Sequence, residues 1–170
     1  EYETPLGNIS IDKNYSNHLK DKYKFLSFED NMHLEHSTET QAPFIKHYFS
    51  DASIVEIVYG KMSYEGLSLL IDEVLEDEDN LLVISTDLSH FYTQEKANEL
   101  DNICLNAIAK KDLALFDKGC EACGKVGVKA VIKSAIKKGF DTKLLHYCTS
   151  YNKTKDASRV VGYASALIGN

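Results

Sequence analysis

The chain has 170 residues and carries 19 Lys+Arg against 26 Asp+Glu, a formal net charge of -7. With 44% hydrophobic and 26% charged residues, it falls in the ordinary range for a globular domain with its own core, which excludes the disordered and fibrous classes. No apolar run approaches the roughly 20 residues that span a bilayer. The acidic balance, with Arg159 as the lone arginine beside the lysines, argues against a phosphate-tracking nucleic-acid binder.

The order of elements alternates. Ser37 is placed to cap a helix whose buried face is Gln41, Phe44, Ile45, Tyr48 and Phe49. Residues 53–59 form a β-branched run ending at Gly60 and read as a strand. Ser63 caps the next helix, with Leu67, Leu70, Ile71, Val74 and Leu75 on one face. The acidic run Glu76-Asp77-Glu78-Asp79 reads as a solvated turn and not a cation site, because it lacks the spaced ligands and glycine of a calcium loop. Leu81-Leu82-Val83-Ile84-Ser85 is a continuous apolar run, as in a strand buried on both faces. Thr93 caps a helix carrying Ala97, Leu100, Cys104, Ala107 and Ile108. A further helix with Val128, Val131, Ile132, Ala135 and Ile136 stops at Gly139. Two strands follow, over 144–149 and 159–168. This alternation predicts an α/β sandwich around a largely parallel or mixed central sheet. Ligands of such sheets lie beyond the carboxyl ends of the strands.

Thr86-Asp87-Leu88-Ser89-His90 directly follows the apolar run, so Asp87 and His90 fall where such a sheet builds its site. An aspartate can hold a hard cation or orient an imidazole, and a histidine moves protons near neutrality. The alternative is a polar turn with an exposed histidine. Glu35 and His36, just before the helix at Ser37, form a second carboxylate–histidine pair, with plain loop residues as the alternative. Cys120-Glu121-Ala122-Cys123 lacks both the strand-then-helix context of a redox motif and the second pair of a zinc knuckle. Cys123 stands apart, because the helix that follows places its sulfur near free N–H groups that favour a thiolate. Cys104 and Cys148 belong to a helical stripe and a strand, and read as core. Four cysteines so dispersed point to a reducing, cytoplasmic setting without a disulfide scaffold.

Thr4-Pro5-Leu6-Gly7 with Ile11-Asp12, Glu35-His36-Ser37-Thr38-Glu39 with Pro43, Ser85-Thr86-Asp87-Leu88-Ser89-His90, Cys123-Gly124 and Gly162-Tyr163-Ala164-Ser165-Ala166-Leu167 occur in the order found in the Memo family. The chain resembles that family over nearly its whole length. The resemblance implies the fold of the class III (LigB-type) extradiol dioxygenases. It also implies that residues 1–170 are the C-terminal portion of a single Memo-like domain, lacking roughly the first third. Two histidine segments that would complete the family's pocket do not occur here.

As the resemblance has it, Asp87 and Cys123 are metal ligands or lie beside one, His90 is an acid/base group, and Glu35 and His36 line the pocket. The cofactor would be a divalent metal (iron, copper or zinc), and the activity that of a metal-dependent oxidoreductase of undefined substrate. The alternative is a non-catalytic adaptor that binds a peptide or small molecule in the same pocket. A thiol redox protein using Cys120 and Cys123 is a third reading. The partners implied are the missing segment or a second chain, and AMMECR1-like and radical-SAM proteins, with neither nucleic acid nor membrane among them. Departures at Gln41 and at Lys125-Val126-Gly127 alter the polarity expected around Cys123.

Overall fold

The computed structural model describes residues 1–27 and 36–170. It is a mixed α/β structure in two compact units, residues 1–61 and 62–170.

In the first unit, β1 (Ser10–Ile11) pairs in parallel with β2 (Ser53–Ile54). Thr4 organises the turn that leads into β1. Its hydroxyl donates to the Gly7 carbonyl at 2.6 Å and accepts from the Leu6 N–H. Asp12 caps α1 (Lys13–Lys22) by accepting the Tyr15 N–H at 2.8 Å. That bond satisfies one of the donors left free at a helix start. Two short helices follow, α2 (His36–Glu39) and α3 (Ala42–Tyr48), the latter with Pro43 in its first turn. Ile9, Leu19 and Ala42 are buried. The helix expected from Ser37 with an apolar buried face is therefore split. Phe44, Tyr48 and Phe49 are 63%, 71% and 51% exposed. A proline fits only the first turn of a helix, because it lacks an N–H and clashes with the preceding turn. It marks a new start here, and the aromatic face stays exposed among the described residues.

The second unit holds the main core. α4 (Tyr64–Val74) starts at its Ser63 cap and buries Leu67, Leu70 and Ile71. α5 (Gln94–Lys110) starts at its Thr93 cap and buries Ala97, Leu100, Cys104, Ala107 and Ile108. A 3-10 turn (Leu115–Lys118) buries Phe116. α6 (Lys125–Lys138) stops at Gly139, whose φ of 74° suits a residue without a Cβ. The apolar stripes of α5 and α6 fall where the 3.6-residue period puts them, except Ile136, which is 48% exposed. α4 and α6 are tied by Lys137 Nζ to Asp72 Oδ2 at 2.6 Å and by the Ser134 hydroxyl to the Ser68 carbonyl at 3.2 Å.

The strands of this unit are β3 (His90–Tyr92), β4 (Asp141–Thr149) and β5 (Val160–Gly169), in the order β3-β5-β4. Both pairings are antiparallel. A four-residue helix, α7 (Tyr151–Thr154), lies in the connection between β4 and β5. The two strands expected late in the chain form as read, but they make a hairpin-like antiparallel pair and not part of a parallel sheet. The two β-branched and apolar runs earlier in the chain do not become full strands. Residues 53–59 contribute only Ser53–Ile54, and Leu81–Ser85 makes no ladder among the described residues. A strand exists only against a neighbour that takes its N–H and C=O groups in a regular ladder, and among the described residues neither run makes one along its length.

One glycine shapes this unit. A Cβ built on Gly162 would fall on the carboxylate of Asp101, with Asp101 Cγ only 2.7 Å away. Asp101 is fully buried and cannot move aside without leaving its own partners. Gly162→Ala is expected to destabilise the second unit by on the order of 2–4 kcal/mol. Urea unfolding of wild type and variant checks this.

Candidate functional site

Residues 86–90 pass between β5, α5 and the start of α6, and each neighbour fixes one part of the loop. The backbone is pinned to β5 by Leu88 N–H to the Gly162 carbonyl at 2.9 Å and by Gly162 N–H to the Ser89 carbonyl at 3.0 Å. From α5, Asp101 Oδ1 accepts the Ser89 N–H at 2.9 Å. Asp101 Oδ2 accepts the Tyr147 hydroxyl of β4 at 2.8 Å, and that hydroxyl also lies 2.9 Å from Asn98 Oδ1. A buried carboxylate is tolerated when both oxygens are occupied in this way. Burial first, then the hydrogen bond to Asp101 and its charge, push the Tyr147 phenol above the ordinary tyrosine range.

Asp87 and His90 project from this pinned loop. Asp87 Oδ2 lies 3.3 Å from His90 Nε2, and their side chains are 46% and 32% exposed. Next to His90, Phe91 has a φ of 64°, and the β3–β5 register shifts between His90 and Tyr92. A bulge of this kind re-aims the side chains beside it. The Arg159 guanidinium sits 4.7 Å from the Phe91 ring centroid, and the Phe91 ring packs edge-on to His90 at 5.7 Å.

Thr86 joins this pair to Cys123. Its hydroxyl donates to the Asp87 carbonyl at 2.9 Å and accepts the Gly124 N–H at 2.7 Å. It lies 3.2 Å from Cys123 Sγ, and that sulfur is 3.9 Å from the Asp87 carbonyl oxygen. The helix-start N–H expected to serve the Cys123 sulfur is thus given to Thr86. On the other side, a hydrogen bond from Tyr92 to Glu121 ties β3 to the segment carrying Cys123, and it raises the Tyr92 phenol above its usual range. Tyr163 of β5 is raised too, by burial first and then by the nearby Asp87 carboxylate.

Asp87, His90 and Cys123 are therefore brought together on one side of the second unit. His36 belongs to the first unit, where it is largely exposed and pairs with Glu39 Oε2 at 2.8 Å. Glu35 and His33 lie outside the described residues. Thr86 and Tyr163 were not singled out for a site by sequence. Thr86 stands in the same loop as Asp87, and Tyr163 opens the Tyr-Ala-Ser-Ala strand, but neither carries a pattern that marks a pocket.

The cysteines depart from expectation. Cys104 and Cys120 form a disulfide, and Cys123 and Cys148 are free. Cys120 is thus joined to α5 and not to Cys123, which removes the Cys120–Cys123 redox pair. The reason is spatial: Cys104 on the inner stripe of α5 and Cys120 after the 3-10 turn both enter the core cluster with Phe116 and Ile132, a proximity that separation along the chain hides.

A metal centre can be weighed against these donors. Among the described residues no group of three or more His, Cys, Asp and Glu side chains is placed to hold an ion. Asp87, His90 and Cys123 offer a pair with a thiol nearby, and stable sites usually take three or four ligands. The described residues therefore do not by themselves fit a metal ion.

Two outcomes follow from this geometry. Because the Tyr147 phenol must stay protonated to donate to Asp101, its contribution to stability is complete below about pH 10, the unfolded tyrosine value. It is lost as pH rises beyond that. Melting temperatures from pH 7 to 11 are expected to fall less steeply for Tyr147→Phe than for wild type, with the variant lower at pH 7 by about 1 kcal/mol of stability. For the cysteines, residue-resolved alkylation under non-reducing conditions is expected to label exposed Cys123 first and half-buried Cys148 later. Cys104 and Cys120 should label only after reduction.

The profile of the Memo-like protein family matches residues 1–167. MEMO1 family proteins from Methanobrevibacter smithii, Methanococcus maripaludis and Sulfurisphaera tokodaii are 33%, 35% and 32% identical to the chain over 98%, 98% and 100% of its length. The chain spans 64% of the length of each of these curated relatives.

Proposed function

This chain belongs to the Memo-like protein family, and from that premise we propose that its Asp87–His90–Cys123 cluster forms one wall of the family protein's pocket. The observation that supports this most is the coupling of three chemically different groups through one hydroxyl. Thr86 holds the Asp87 backbone, the start of α6 and the Cys123 sulfur together. Asp87, 3.3 Å from His90 Nε2, orients the ring, which leaves Nδ1 as the nitrogen free to exchange a proton with a bound group. Cys123 supplies a nucleophilic or soft-donor sulfur beside that proton carrier. We take the full-length protein to be a metal-dependent oxidoreductase in the manner of the extradiol dioxygenases. In that reading Asp87 and Cys123 would act as ligands only alongside donors beyond those described here, and no step is assigned to a metal in this chain.

A binding module without catalysis is the second reading. The exposed Phe44, Tyr48 and Phe49 on and beside α3 support it, since clustered exposed aromatics mark interaction surfaces.

Metal analysis and oxygen uptake separate the two. This chain is expected to retain far less than one equivalent of iron, copper or zinc after dialysis. The full-length Methanobrevibacter smithii relative should hold about one. In that relative, serine at the position aligned with Cys123 should lower metal content, whereas alanine at the position aligned with His90 should leave metal content but reduce oxygen uptake about 100-fold or more. A metal-free full-length relative that takes up no oxygen would select the binding module.

A further inference from the structure

The chain's lone arginine stands where β5 begins beside the irregular end of β3. Arg159 immediately precedes β5, whose register sets Val160 against Tyr92 and Val161 against His90. Phe91 lies between those two pairs and is left out of the ladder. Its φ of 64° is one that a bulky side chain avoids unless its surroundings impose it. Here the residues on either side of it are both paired with β5. The outcome is a phenyl ring turned out to solvent, 63% exposed. The Arg159 guanidinium sits over it at 4.7 Å from the centroid, and the His90 ring meets its edge at 5.7 Å. A strained backbone is thus kept for an aromatic ring outside the core, and strain of this kind collects at ligand clamps.

The stack fixes the guanidinium. Lying over a ring, it keeps its N–H edges free to donate. Arg159 is exposed and makes no ion pair among the described residues. Asp156, the carboxylate nearest to it in sequence, accepts instead from the Ser158 N–H at 2.9 Å and hydroxyl at 2.6 Å. The turn before Arg159 is tied to the start of α5, because the Ala157 carbonyl accepts the Gln94 N–H at 2.9 Å. A cation on a built support, in a chain of net charge -7, is left without a partner of opposite sign.

The surroundings select among anions. A phosphate site gathers several donors, usually with backbone N–H groups of a helix start or a nest. The Gly124 N–H at the start of α6 is already given to Thr86. Both residues that flank Phe91 carry acidic partners, Asp87 on His90 and Glu121 on Tyr92, and these disfavour a dianion. A carboxylate brings one charge and matches the guanidinium fork with two N–H bonds. We propose that Arg159, held on Phe91, clamps the carboxylate of an organic acid. The clamp needs only these two residues; that the remainder of the acid lies against His90 rests on the reading of Asp87, His90 and Cys123 as a pocket wall. A free carboxylic acid and the C-terminus of a peptide share this chemistry.

Because the chain has one arginine, its guanidinium Nε–H gives a single signal in a nitrogen–proton NMR spectrum. The 170-residue chain is titrated at constant ionic strength with butyrate, acetyl-trialanine, their two uncharged amides and inorganic phosphate. At least one of the two acids is expected to shift the Arg159 signal saturably, the amides not at all, and phosphate to bind at least about 10-fold more weakly. Whichever acid saturates first identifies the source. Read from the Phe91 and His90 ring signals, Arg159→Lys should weaken binding about 10-fold, because an ammonium cannot form the fork, and Arg159→Gln should abolish it. Phe91→Ala, which keeps the arginine signal, should weaken it several-fold. The side chain of Arg159 is exposed, so signals elsewhere should stay as in wild type. No saturable shift with either acid, an equal response to the amides, phosphate binding as tight as carboxylate, or full affinity in Arg159→Gln overturns the proposal. Saturation at Arg159 with the His90 ring unmoved upholds the clamp and counts against the pocket wall. An acid that moves His90 equally in wild type and Arg159→Gln overturns the clamp and leaves the pocket wall standing.

Discussion

The buried carboxylate of Asp101 is the interaction on which the second unit depends. It lies on α5, yet its two oxygens are taken by the Ser89 N–H of the site loop and the Tyr147 hydroxyl of β4, directly over Gly162 of β5. One buried carboxylate therefore ties α5, the site loop and β4 together and packs against β5. Such a charge is costly to bury and worthwhile only when fully satisfied. That makes its surroundings intolerant: removing any partner leaves a charge in the core, and adding a methyl group at 162 evicts it. The position of Asp87 and His90 follows from this arrangement, since both stand on the loop that Asp101 anchors by Ser89.

The stiffness of that anchor contrasts with the openness next to it. The loop is held by hydrogen bonds from Leu88 onward, whereas the apolar run leading into it makes no ladder among the described residues. Between Leu81 and Leu88, the side chains of Leu82, Ile84, Thr86 and Leu88 line an apolar cavity. Downstream, hydrogen bonds to β5, α5 and α6 hold the backbone.

Helices were legible in the sequence where a cap and a stripe coincided. Ser63, Thr93 and Gly139 mark real ends, and Leu67, Leu70, Ile71, Ala97, Cys104 and Ile132 are inside, because these signals depend on residues within a few positions of each other. Strands were legible where two of them pair: β4 and β5 form a ladder, whereas Leu81–Ser85 reads as a central strand by composition and makes no ladder among the described residues. The antiparallel pairing was not visible, since an alternation of runs does not fix strand direction. The Cys104–Cys120 disulfide and the Asp101–Tyr147 contact join residues 16 and 46 positions apart, a separation at which pattern carries no information. The proximity of Asp87 to His90 was legible because three residues and a turn are enough to bring them together. Its link to Cys123 through Thr86 needed the fold.

The chemistry of the cluster is decided by what Thr86 does with its single proton. The hydroxyl donates to the Asp87 carbonyl and accepts from Gly124, and it lies 3.2 Å from Cys123 Sγ. The Gly124 N–H is therefore taken by Thr86 and not by the sulfur, which instead shares the Asp87 carbonyl side of the loop at 3.9 Å.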